Sequence, residues 1–293
     1  MSKIKVLPVY PKFPLSFWSL DQALEISGKE ALSPPLGLAT VAAMLPEDQF
    51  EVQRIVDLNI EPLMDKYLEN TDLVFVSSGL MQQKSHKDVI KRAHSKGKKV
   101  VIGGPYPTSY PDRNNEADYI IAGEAELTLQ PFLEDLANGK PQRIYTPESV
   151  VGKETVSLTS EGKPNLNHTP IPRWDLLRLD QYSIAAVQYS RGCRFNCEFC
   201  DITQLFGRKP RGKDPDQMEG ELEALYESGF RGEVFLVDDN ILGNKNDLQK
   251  FLVRLKNWQK QRDHPFSFIT QASVDLAWDS NNGILEDMVQ AGV

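Results

Sequence analysis

Short apolar runs alternate with helix-period patterns along the first 138 positions of the chain. IKVLPV, FEVQRIVD, DLVFVSS, KKVVIGG and DYIIAGE are the predicted strands, and predicted helices lie between them near 37–45, 61–69, 82–96 and 127–138. The strands are apolar along their whole length instead of alternating with polar residues. That pattern belongs to parallel strands buried on both faces. Pro8 interrupts the first run, and central strands tolerate proline poorly. The first strand is therefore predicted to end near Leu7, with PVYPKFPLSFW as a long loop beyond it.

Strand–helix alternation of this kind predicts an α/β, flavodoxin-like (Rossmann-like) doubly wound parallel sheet over residues 1–138, with ligands beyond the carboxyl ends of its strands. Small residues collect at those ends: Ser77, Ser78 and Gly79, then Gly103 and Gly104, then Gly123. Residues 139–183 lose the pattern, are rich in Pro, Thr and Ser, and are predicted to be a linker. A second βα series occupies 184–293. AAVQYS, GEVFLVDD and FSFITQA are its strands, with helices near 214–228, 246–262 and 284–290.

Composition narrows the function. The chain of 293 residues is 40% hydrophobic, enough for two full cores, and its net charge of −8 argues against a nucleic-acid surface. No apolar run is long enough for a membrane span, and the start MSKIKVLPVYPKF lacks a signal-peptide layout. Three cysteines cannot build a disulfide framework, so the expected location is cytoplasmic.

Those three cysteines, Cys193, Cys197 and Cys200, all fall in SRGCRFNCEFCD. Three thiolates on one loop can hold an iron–sulfur cluster or zinc, or can be inert. A [4Fe–4S] cluster normally takes four cysteines, so three leave one iron open to a cofactor or substrate. Structural zinc wants a fourth Cys or His, and the four histidines (His86, His94, His168, His264) are distant in sequence. Inert core thiols fit poorly with the polar neighbours Arg191, Arg194, Asn196 and Glu198.

The C-x3-C-x2-C spacing after the first strand of a βα series, with Phe199 before the third cysteine, resembles the radical SAM superfamily. The resemblance implies a (β/α) partial barrel in which Cys193, Cys197 and Cys200 ligate a [4Fe–4S] cluster. S-adenosylmethionine would chelate the open iron, with Phe199 against its adenine, and reductive cleavage would give a 5′-deoxyadenosyl radical. It also implies an electron donor such as flavodoxin or ferredoxin. Asp238 and Asp239, ending the second strand in FLVDDN, are expected near the SAM amino group. They could equally cap the next helix or close an Asx turn.

A flavodoxin-like unit ahead of such a barrel resembles the cobalamin-binding radical SAM group. SPPLGLATVAAMLP, VSSGLMQQ, GGPYPTSYPD and AGEAELTLQPFL carry that likeness, which leans towards the branch with the hopanoid C-2 methylases. It implies cobalamin binding by Ser77, Ser78, Gly103 and Gly104. The D-x-H-x-x-G pattern is absent, so cobalamin is expected base-off without a histidine ligand. The activity expected is methyl transfer to an unactivated carbon of a small molecule, lipids included. Alternatives with the same parts are cyclisation or rearrangement, or a non-catalytic cobalamin- or cluster-binding fragment. The barrel is expected to be truncated, because barrels of the family it resembles commonly run to six βα units and three strands are present here.

Overall fold

The computed structural model describes residues 2–153, 156–278 and 282–293. Its first sheet contains β1 (Ile4–Tyr10), β2 (Phe50–Val52), β3 (Val56–Asp57), β4 (Leu73–Ser77), β5 (Lys99–Gly103), β6 (Tyr119–Ile121) and β7 (Ile144–Tyr145). The order is β2-β1-β4-β5-β6-β7, with β3 also on β1, and every pairing is parallel. Successive strand residues point to opposite faces. Val74, Val76, Val100, Ile102 and Ile120 therefore bury one face against α4 (Gln83–Ser95), through its Val89, Ile90 and Ala93. Phe75, Val101, Tyr119 and Ile121 bury the other against α6 (Ala125–Ala137), which contributes Leu129, Phe132 and Leu133, with Val41 and Met44 at the end of α2 (Leu36–Ala43) beside them. This is the doubly wound sheet expected from the apolar runs.

The first strand does not stop at Leu7. It runs through Pro8 to Tyr10, with Pro8 in register with Phe75 of β4. In a parallel strand, alternate residues bond to alternate neighbours. Ile4 N–H donates to Gln49 O and Tyr10 O accepts from Leu58 N–H, so the even positions of β1 face β2 and β3. Pro8 falls where β2 has ended and β3 has not begun. No ladder bond is lost there.

Residues 139–183 are not a free linker. β7 extends the first sheet, and Leu166, Trp174 and Tyr182 are buried. The stretch leading into the second unit is zipped to the first: Ile55 N–H donates to Leu176 O, Ser183 N–H to Ala31 O, and Tyr182 Oη to the Asp57 carboxylate at 3.0 Å. Single buried anchors at irregular spacing have no period, which is why composition alone suggested a linker.

The second sheet is parallel, in the order β12 (Phe266–Thr270), β11 (Gly232–Leu236), β8 (Ala185–Val187). Met218, Leu222 and Leu225 of α8 (Pro215–Glu227) and Leu248, Phe251, Leu252 and Leu255 of α9 (Lys245–Gln261) pack on one face. Their spacing is that of a helix with one apolar stripe. Ile284 and Met288 of α10 (Asn282–Ala291) join the same core. Phe235 lies in register between Ala186 and Ile269 on the opposite face, and β12 forms the sheet's edge with Ile269 partly exposed. No helix among the described residues is long and apolar enough to cross a membrane.

Candidate functional site

The carboxyl ends of the two sheets face each other across a cleft of about 300 Å³. Ser77, Gly104 and Gly123 line it from the first unit, and Gln188, Arg191 and Val237 from the second. A narrower slot of about 60 Å³ runs between the first sheet and α6, lined by Val101, Gly103, Gly104, Ile121 and Leu129. The predicted glycines thus meet one space, as expected beyond the strand ends of a parallel sheet.

The three cysteines occupy the loop between β9 (Ser190–Arg191) and α7 (Ile202–Phe206). None forms a disulfide; Cys197 is exposed and the other two half-buried. Carboxylates behind the loop hold its start. Asp238 accepts from the N–H groups of Tyr189 and Ser190, and Asp239 Oδ2 from Gly192 N–H at 2.7 Å. Position 192 requires glycine, because its φ of 99° is left-handed and an added Cβ would lie 3.1 Å from Gly207 O. Further along, Arg194 pairs with Asp275, which also accepts from Ser273 Oγ; Ser273 in turn bonds Asn240. Phe199 stands 93% exposed. Among the described residues no group of three or more His, Cys, Asp or Glu is gathered as a metal site. The donor chemistry nevertheless suits an iron–sulfur cluster, since three free thiols share one anchored, solvent-facing loop.

Comparison with known proteins decides the family. Residues 30–133 match the B12 binding domain and residues 187–293 the radical SAM superfamily. The chain joins a B12-binding domain to a radical SAM domain. It is 44% identical over 279 residues to an uncharacterized methyltransferase of Synechocystis, covering 94% of this chain and 49% of that protein. It is 33% identical over 274 residues to the hopanoid C-2 methylase of Rhodopseudomonas palustris, covering 93% and 50%. The chain spans about half the length of these curated relatives. The cobalamin-dependent radical enzyme OxsB, solved with aqua-cobalamin and S-adenosylmethionine, has the same fold: TM-score 0.70 at 17% identity, covering 99% of this chain and 43% of that one.

Within the B12-binding domain the two predicted serines part company. Ser77 lines both cleft and slot. Ser78 is buried, its Oγ 2.8 Å from His86 Nδ1 and turned away from the space. Gly104 has φ of 91°, and a Cβ there would come within 2.6 Å of Ser77 Oγ and 3.0 Å of Ser78 N. Gly103 has ordinary backbone, and its Cβ would meet Ile121 O at 3.3 Å. Among the described residues no histidine lines the cleft or the slot. The residues therefore fit a cobalamin whose nucleotide tail enters the slot without a histidine ligand from this lining, with close backbone approach at Gly104.

His86 is fully buried, and burial pushes its imidazole down to about 4 from an ordinary 6.5. Below its ordinary value the unfolded chain binds a proton that the folded chain refuses. This contribution to stability is whole above about pH 6.5 and is lost as the pH falls towards about 4. His86→Gln, which can still bond Ser78 but does not titrate, is expected to remove that slope. Urea melts at pH 7.5 and pH 5 should show the wild type losing about 2 kcal/mol more than the variant. Equal losses would show that His86 does not carry the pH dependence.

Within the radical SAM domain, Asp238 is buried and burial lifts its carboxyl to about 7, although the backbone N–H groups of Tyr189 and Ser190 pull it down. Burial also raises Asp239. Asp238 gives both of its oxygens to the backbone that launches the cysteine loop, and the half-buried Asp239 gives Oδ2 to the same backbone. They hold the site from behind.

Sequence reasoning missed the charged seam between the domains. Glu124 and Glu126, after β6, meet Arg191 of β9 and Arg211 of β10 (Arg211–Gly212). Burial alone would lift the Glu126 carboxyl, but the Arg191 guanidinium holds it below the usual range. Arg191 is itself raised despite burial, by the two carboxylates. The signal was present in AGEAEL and SRGC, as charges at strand ends. Nothing in their spacing links one to the other.

Proposed function

We propose that the chain is the cofactor-holding part of a cobalamin-dependent radical SAM methyltransferase acting on an unactivated carbon. The observation that carries this reading is the cleft, which places the glycine-lined strand ends opposite the start of the cysteine loop. Cys193, Cys197 and Cys200 hold a [4Fe–4S] cluster, and the exposed Phe199 is free to cover the adenine of S-adenosylmethionine. Ser77, Gly103 and Gly104 admit the cobalamin tail. Asp238 and Asp239 orient the loop through its backbone. When bound, these groups supply hydrogen-atom abstraction and a transferable methyl group. The protein's own residues orient the two ends of the cleft and keep water from the space between. Residues 1–138 form the cobalamin unit and 184–293 the SAM unit, with the packed segment 139–183 fixing one to the other. An external one-electron donor, flavodoxin or ferredoxin, serves the cluster. The substrate is a small molecule, and the hopanoid methylase among the relatives favours a lipid.

The test is incubation of the anaerobically reconstituted chain with S-adenosylmethionine, hydroxocobalamin and dithionite. 5′-Deoxyadenosine together with S-adenosylhomocysteine is the expected result. Deoxyadenosine alone would point to cyclisation or rearrangement, and neither product would leave only a binding module.

A further inference from the structure

The seam between the domains is built of four charges that are almost dry. Glu124, with its side chain 2% exposed, accepts from Arg191 Nη1 at 2.6 Å and from Arg211 Nη2 with both oxygens, at 3.0 and 3.1 Å. Glu126 accepts from Arg191 Nη1 at 3.3 Å and from Thr169 Oγ1 at 3.2 Å, and its Oε1 is ion-paired with Arg191 Nη2 at 3.1 Å. Arg191 also donates to Gln188 Oε1 from Nε and Nη2, and Arg211 to the carbonyls of Pro164 and Phe206. Two carboxylates balance two guanidiniums, so the group is neutral overall. Each fork reaches several acceptors, as Arg geometry favours.

Buried ion networks of this kind add little net stability, because desolvation offsets the Coulomb gain; their best-attested use is to fix one register among several. The register at stake here is that of the cysteine loop. Arg191 precedes Cys193 by two residues, and Arg211 lies opposite Arg191 in a ribbon of two residues per strand. A ribbon so short cannot hold its own shape. Asp238 and Asp239 grip it from its own domain, and Glu124 and Glu126 grip it from the other. Both glutamates and Arg191 also line the cleft.

We infer that Glu124 and Glu126 are positioning residues: through Arg191 and Arg211 they lock the cysteine loop of one domain onto the strand ends of the other, fixing the two cofactor sites in one geometry. The cofactor sites rest on the function proposed above, whereas the lock itself is a property of the chain. Removing the Glu124 charge leaves two guanidiniums facing each other across a two-residue ribbon. Removing that of Glu126 leaves Arg191 with one carboxylate, a milder change that keeps the fold.

The test uses Glu124→Gln and Glu126→Gln in the full chain, with two readouts. The first is amide hydrogen exchange without cofactors. Exchange at 190–212 is expected to quicken at least tenfold, while β4 and β5 stay as in wild type. Exchange that rises throughout would indicate general destabilisation, and no change anywhere would mean the seam holds nothing; either outcome overturns the proposal. The second readout is the magnetic coupling between cob(II)alamin and the reduced cluster in reconstituted protein, expected to weaken and broaden in both variants. Unchanged coupling with both cofactors bound would also overturn it. A wild type that binds neither cofactor would refute the proposed function instead, and the exchange readout would still decide the lock.

Discussion

Cys197→Ala is expected to lose the iron–sulfur cluster while the fold and cobalamin binding survive. Cys197 is exposed and in no disulfide, and its carbonyl accepts a main-chain bond from Cys200 N–H, which alanine retains. Nothing in either core depends on the thiol. Cluster chemistry does, because three ligands are already one fewer than the usual four. Anaerobically reconstituted wild type should carry about four irons per chain and absorb broadly near ~400 nm, and the variant should carry close to none. Cleavage of S-adenosylmethionine should fall to background, whereas hydroxocobalamin should titrate as in wild type. Iron retained in Cys197→Ala, or a wild type holding stoichiometric zinc and no iron, would remove these cysteines from the role proposed for them.

Substitution at Gly104 is expected to have the second largest effect, on cobalamin. Its left-handed backbone costs a side chain roughly 1–3 kcal/mol of strain. A Cβ would also strike Ser77 Oγ and the Ser78 main chain, and main chain cannot swing aside. Gly104→Ala should therefore lower stability by about 1–3 kcal/mol and weaken hydroxocobalamin binding. Gly104→Trp, which fills the cleft mouth, should weaken it by about a hundredfold, equivalent to ~2.7 kcal/mol. Gly103→Ala is the control. Its backbone is ordinary and its nearest contact is 3.3 Å, so its effect should be smaller in both assays. A spectroscopic titration decides the matter, and it should show base-off cobalamin because the slot beside Gly104 draws the nucleotide tail away from cobalt, and among the described residues no histidine lines the site to replace it. Unchanged affinity in Gly104→Trp, or a base-on spectrum, would place the corrin elsewhere.

Local pattern in the sequence determined the two βα series, the parallel sheets, the glycines at the strand ends and the thiol loop. Each is set by short-range rules: period, left-handed backbone, or donor spacing. Tertiary structure decided the rest. Pro8 is tolerated in β1 because two partner strands leave a gap beside it, a fact about residues 52 and 56 that the first ten positions do not contain. Between 139 and 183, Leu166, Trp174 and Tyr182 are buried without a period to announce them. Ser77 and Ser78 are identical in type and adjacent, yet strand alternation sends one to the cleft and the other to His86. Glu124 meets Arg191 across 67 positions and Arg211 across 87. Coulomb attraction acts through space and leaves no mark on spacing, so only the folded chain could bring these charges together.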